Sequence, residues 1–246
     1  MYESFLPGRK LGILTPLNIN DNSPYEFYRI APPRVMAVMI ACGLREFSAE
    51  DVERVFEPVD AMVDALMQRQ VDIVIQSGVP LPILIGIEAH DGLLERIAAR
   101  SGTPVTSSIT AVVAAAAHLG ITNIAVANKW DEKMNSCLAD FFARAGVGFA
   151  GAATEPLNPV QFQSMSTAAS MELAYVLGKQ ALEQYPEADG LYIGGGAWLA
   201  QPVCEQLEKE FDKPCIANQA CMIWDALHKV DFWTPVAGCG RLMASG

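Results

Sequence analysis

Short apolar runs rich in Val and Ile alternate with longer amphipathic segments along the chain, and this alternation constrains the fold more than any other feature. A strand covered on both faces reads as a near-continuous apolar run, whereas a helix repeats its apolar residues every three or four positions. Alternation of the two is the signature of βαβ units and a parallel sheet. Strands are expected at 11–16, 35–42, 71–77, 104–107, 123–128, 147–153, 190–194 and 214–218. Helices are expected at 49–69, 86–101, 109–119, 131–145, 159–184, 199–210 and 219–229. The fold class is α/β, with the strands in two sets of four.

The two sets echo one another. "VDIVIQSGVPL", a helix ending "ARSG" and then "TPVTSSITA" resembles "ADGLYIGGGAWL", a helix ending "KEFD" and then "KPCIANQACMIWDAL". Each reads strand, glycine turn, helix, proline-led strand, small polar residues, helix. Either the common grammar of α/β proteins or an internal duplication accounts for it. The second reading divides the chain into a half of residues 1–115 plus 218–246 and a half of residues 116–217, with the glycine turns facing across a cleft.

Composition narrows the function. The chain has 246 residues and a formal charge of −11, and its Lys and Arg are not clustered as a nucleic-acid surface requires. The most apolar windows, around "VMAVMIACGL" and "ITAVVAAAAHLG", fall well short of the roughly 20 residues that span a bilayer. The start, "MYESFLPGRKLG", lacks the layout of a signal peptide, so a cytoplasmic location and no membrane partner are expected. Six cysteines show no metal-binding spacing, and no metal or cofactor is expected. A small molecule and further copies of the chain remain as partners.

Parallel sheets bind ligands at the C-terminal ends of their strands. Those ends carry Pro16 to Asn20, Cys42 to Arg45, Gly78 to Pro80, Ser107 to Thr110, Asn128 to Trp130, Gly194 to Ala197 and Asn218 to Cys221. Few of these residues ionise. The run "IGGGAWL" stands out, because consecutive glycines let backbone N–H groups approach an anion closely.

"QSGVPL" and "IGGGAWL" at matching strand ends, "TSSITAVVAAAAHLGITNIAVAN" between them and "NQACMIWDAL" near the C-terminus resemble the aspartate/glutamate racemase superfamily, in its arylmalonate decarboxylase and maleate isomerase branch. The resemblance runs from "GILTP" to "WDAL" and implies two pseudo-symmetric four-stranded parallel sheets flanked by helices, an active-site cleft between the halves, an oligomer and a small carboxylate substrate. It also implies a cysteine at one or both glycine turns, moving a proton or attacking the substrate. Those positions correspond to Gly78 and Gly195, and both cysteines are absent.

With no thiol, the expected machinery is backbone: Gly195, Gly196 and Ala197 on one side and Gly78 and Val79 on the other, cradling a carboxylate or enolate. The resemblance adds Asn18, Thr110 and Asn135 as binding residues, with Trp130 replacing an expected tyrosine as an aromatic wall. Lys129, desolvated beside Trp130, and Cys221, at a helix start that lowers a thiol pKa, are the candidate proton donors. Cys42 is a further substitute thiol. His90, His118 and His228 are expected to be structural. A cofactor-independent lyase acting on a small (di)carboxylic acid fits best. An isomerase or racemase, a hydrolase using Asp131 or Glu132 as base, and a non-catalytic carboxylate binder are the alternatives.

Overall fold

A computed structural model describes residues 5–246. The first sheet contains β1 (Arg9–Thr15), β2 (Val35–Ala41), β3 (Ile73–Gln76) and β4 (Val105–Ser107) in the order β2-β1-β3-β4. The second contains β5 (Asn123–Asn128), β6 (Gly148–Thr154), β7 (Gly190–Ile193) and β8 (Cys215–Ala217) in the order β6-β5-β7-β8. Every pairing is parallel, and the two sheets have one topology repeated. The expected two four-stranded sheets are present.

Helices α1 (Asn22–Ile30), α2 (Ala49–Phe56), α3 (Val59–Gln68), α4 (Pro80–Ile85), α5 (Ile87–Ser101) and α6 (Ser108–His118) belong to the first stretch of chain. They are followed by α7 (Glu132–Arg144), α8 (Pro159–Gln163), α9 (Thr167–Gln184), α10 (Gln201–Phe211), α11 (Asn218–Lys229) and α12 (Gly240–Ala244). Two expected helices are each split. Residues 49–69 break at Pro58, whose ring removes a donor from the ladder. Residues 159–184 break before Ser166, whose side chain accepts from the Ala169 N–H and starts a new helix.

Alternation along the strands builds three cores. Ile73 and Ile75 face inward while Val74 faces outward; Ile124 and Val126 face inward while Ala125 and Ala127 face outward. The inward residues of both sheets meet in one shared core with Tyr192, α6 and α11. Outward residues of the first sheet pack on α2, α3 and α5, and those of the second on α9 and α10. The shared core locks the halves together, so the ends of their strands form one surface.

Candidate active site

In each sheet the chain leaves its first strand toward one edge and returns with its third strand on the other side. The crevice of such a sheet opens at that switch point, beyond the C-terminal ends of the two neighbouring strands. β1 and β3 deliver Thr15, Pro16, Ser77 and Gly78; β5 and β7 deliver Lys129, Trp130, Gly195, Gly196 and Ala197. Both sets line one cavity of about 50 Å³. That volume holds about four water molecules at roughly 10–15 Å³ each. Leu17, Leu44, Phe47 and Phe162 supply its apolar wall, and the Phe47 and Phe162 rings stack at 6.1 Å. A larger groove of about 580 Å³ shares Phe47, Lys129 and Trp130 with it.

The Gly195 turn is open toward this cavity. Gly195 has φ +108°, and a Cβ placed there would lie 3.7 Å from Lys129 Nζ and 3.6 Å from Trp198 Nε1, with nothing closer. The turn is held by its carbonyls: Trp198 Nε1 donates to Gly195 O at 3.0 Å, the Ser23 hydroxyl to Gly196 O, and Asn22 Nδ2 to Ala197 O at 3.1 Å. Among the described residues, the N–H groups of Gly196 and Ala197 have no acceptor. Both residues line the cavity.

Lys129 is 4% exposed, and among the cavity-lining residues it is the one ionisable side chain. Its Nζ lies 3.4 Å from the centroid of the Trp198 ring and 5.2 Å from that of Phe162. Among the described residues it has no hydrogen-bond partner and no carboxylate within salt-bridge distance. Burial therefore drives its pKa well below the usual lysine range. The amine lies beside the Gly195 turn, the position at which the sequence resemblance implies a cysteine.

The Gly78 turn is closed. A Cβ there would meet Pro16 Cγ at 2.8 Å, and the Gly78 N–H donates to Ser108 Oγ at 2.8 Å. Val79 is fully buried in the shared core. The expected second cradle of Gly78 and Val79 is corrected accordingly: one N–H is already bonded, and the other residue does not line the cavity.

Further expectations are corrected by position. Asn18 is exposed, and Asn20 lines the cavity instead, with its Nδ2 donating to Thr15 Oγ1 and Leu17 O at 3.0 Å each. Thr110 is exposed outside the cavity, because the first turn of α6 directs it toward Ser107 Oγ. Cys221 is wholly enclosed in the shared core, where burial raises its pKa well above the thiol range. Burial likewise pushes Cys42 up to about 12. Asn135 is buried behind the site. It accepts from Asn128 Nδ2 at 2.6 Å and donates to Trp130 O at 3.2 Å, so it positions the loop that carries Lys129 and Trp130. Trp130 does line the cavity, with its ring against Gly194. Asp131 caps α7, accepting from the Met134 N–H at 2.8 Å, and neither it nor Glu132 lines the inner cavity.

Sequence reasoning missed α1. Its Asn22, Ser23 and Glu26 all reach the Gly195 turn or the helix that follows it: Glu26 Oε1 accepts from the Ala200 and Gln201 N–H groups at 2.9 and 2.8 Å. Burial raises the Glu26 pKa to about 7, against the pull of those two donors. The available signal was Asp21 preceding "NSPYEFYRI", a capping residue followed by proline in the first turn and spaced apolar residues. The described residues contain no group of three or more His, Cys, Asp or Glu that could hold a metal, and no helix long and apolar enough to cross a membrane.

The fold has known counterparts. A curated relative, the arylmalonate decarboxylase of Bordetella bronchiseptica, is 23% identical over 79% of this chain and 80% of its own length. The Gly74Cys–Cys188Ser mutant of arylmalonate decarboxylase, solved in a liganded form, superposes with a TM-score of 0.85 at 22% identity, covering 95% of this chain and 98% of that one. The C200A maleate isomerase of Pseudomonas putida S16, solved with maleate, gives 0.83 at 16% identity over 96% and 97% of the two chains. The family model described as arylmalonate decarboxylase matches residues 20–243, nearly the full length, and the chain belongs to that family of enzymes.

Proposed function

We propose that this enzyme is a cofactor-independent decarboxylase of a small malonate-like acid, in which Lys129 replaces the thiol as proton donor. The reading is carried by one observation: the Lys129 amine stands 3.7 Å from the point where a Gly195 side chain would begin. One substrate carboxylate is held by the Gly196 and Ala197 N–H groups. The other faces the apolar wall of Leu17, Leu44, Phe47 and Phe162 and leaves as CO₂. Its bonding electron pair passes to the α-carbon and into the retained carboxylate, forming an enediolate. Free N–H donors in a water-poor cavity stabilise that charge as it develops. The Lys129 ammonium then gives its proton to the α-carbon, and the neutral amine recovers one from water.

A depressed pKa makes the ammonium a stronger acid, provided that it is still protonated at the working pH. The rate should therefore fall as pH rises through the Lys129 pKa. Aryl- and alkylmalonates incubated in deuterated buffer should release CO₂ and acquire deuterium at the α-carbon, as followed by proton NMR. Neither event across the panel would sink the reading. A cytoplasmic homo-oligomer is part of the same proposal, to be checked by localisation and by light scattering against the 26.5 kDa chain.

A further inference from the structure

Lys129 has the surroundings of a nucleophile as well as those of an acid. An amine attacks a carbonyl only through its unprotonated lone pair, and proteins obtain that form by desolvating a lysine without giving it a carboxylate. Both conditions hold: Lys129 is buried with the Trp198 and Phe162 rings against its Nζ, and no carboxylate among the described residues pairs with it. Other lysines are bound differently. Lys209 pairs with Glu205, Lys229 with Asp225, and Lys213 Nζ donates to Pro186 O at 2.7 Å. The Gly195 turn leaves open space beside the Lys129 nitrogen, and Gly196 and Ala197, whose N–H groups have no acceptor among the described residues, line the same cavity. A compact molecule carrying both a ketone and a carboxylate matches that pairing of amine and anion donors.

We propose that Lys129 forms a Schiff base with small 3-oxo acids and decarboxylates them, a second activity in the cavity assigned above. The nitrogen lone pair adds to the ketone carbon, and a proton moves from nitrogen to oxygen to give a carbinolamine. Protonation of that hydroxyl expels water as the C=N bond forms, leaving an iminium. The bond to the carboxylate breaks, its electron pair flows into the iminium, and CO₂ departs to leave a neutral enamine. Water protonates the enamine carbon, and hydrolysis of the imine returns the ketone and the free amine. The net change is 3-oxocarboxylate plus a proton to ketone plus CO₂, with no oxidant, reductant or cofactor.

The test is incubation of the intact protein with 3-oxobutanoate and sodium cyanoborohydride, followed by intact mass and peptide mapping. The expected result is an N-isopropyl group on Lys129, formed when CO₂ loss precedes reduction, with Lys133 and Lys209 unlabelled. Lys129→Arg, checked for its fold by circular dichroism, should lose the adduct. No adduct on Lys129 of the unaltered protein, or labelling spread evenly over the surface lysines, overturns the proposal whatever the variant does. The malonate panel run on the same preparation separates the two readings. Malonate turnover without the adduct overturns only Schiff-base chemistry; the adduct without malonate turnover supports it and removes only the malonate reading.

Discussion

The two glycine turns occupy the same place in two copies of one topology, yet they have become opposites. Each is overlooked by the first residue after the neighbouring strand: Pro16 after β1 for Gly78, and Lys129 after β5 for Gly195. Pro16 fills the space where a side chain would project, at 2.8 Å; Lys129 leaves it open and brings an amine to its edge at 3.7 Å. Below the turns the first residues of α6 and α11 show the same divergence. Ser108 takes the Gly78 N–H, whereas Asn218 lies 3.4 Å from where a Gly196 Cβ would sit and accepts from the Tyr192 hydroxyl at 3.3 Å. One turn is a packed wall and the other a site. On the reading proposed for Lys129, a pseudo-symmetric scaffold supports one-sided chemistry, with a single ionisable group lining the cavity.

Breaking the open side should have the largest effect. Lys129→Met keeps the apolar stem and removes the amine. It should lower decarboxylation by about 10²–10⁴-fold, the usual worth of a positioned acid, with the unfolding midpoint in urea little changed. A loss of activity matched by a loss of fold would instead make Lys129 a structural residue.

The closed side should answer in stability. Gly78→Ala adds backbone strain at φ +99° to a clash with Pro16, and about 2–6 kcal/mol is expected from the two together. Gly195→Ala carries the strain of φ +108° alone, about 1–3 kcal/mol. Equal costs in denaturant titrations would erase the distinction between the turns.

The brace on the open turn should be visible in pH. Glu26 rises from 4.5 to about 7 on folding. Its contribution to stability is therefore complete below pH 4.5 and is lost as pH rises through about 7, on the order of 3 kcal/mol in all. Glu26→Gln should flatten that slope in urea titrations between those pH values; an unchanged slope would assign it elsewhere. Ser108→Ala sharpens the comparison from the closed side. It strands the Gly78 N–H and should cost about 1–3 kcal/mol, with less effect on turnover than Lys129→Met.

The strands were legible because burial on both faces leaves an unmistakable Val- and Ile-rich run, and Ile73, Val74 and Ile75 show it within three residues. Strand-end logic then named Pro16, Leu44, Gly78, Lys129, Trp130 and the Gly195 turn, all of which line the cavity. It failed for Cys221, because α11 packs that residue into the shared core, and for Thr110, because the first turn of α6 leaves it exposed against Ser107. It failed for Asn18 because Asn20, two residues on, is the one bonded to Thr15. Phe47 comes from a loop, Phe162 from α8, and Ser23 and Glu26 from α1. Nothing local in the sequence says that they return to the site, because only tertiary packing brings them there.

Both roles proposed for Lys129 require an unpaired, desolvated amine beside the open Gly195 turn. Carbon-13 labelling of the lysine side chains, with Lys129→Arg to assign the resonance, measures this directly. The Lys129 signal should titrate well below the cluster of surface lysines and should shift when a malonate is added. A Lys129 that titrates together with the surface lysines and ignores the ligand would contradict both the proton-donor and the Schiff-base roles.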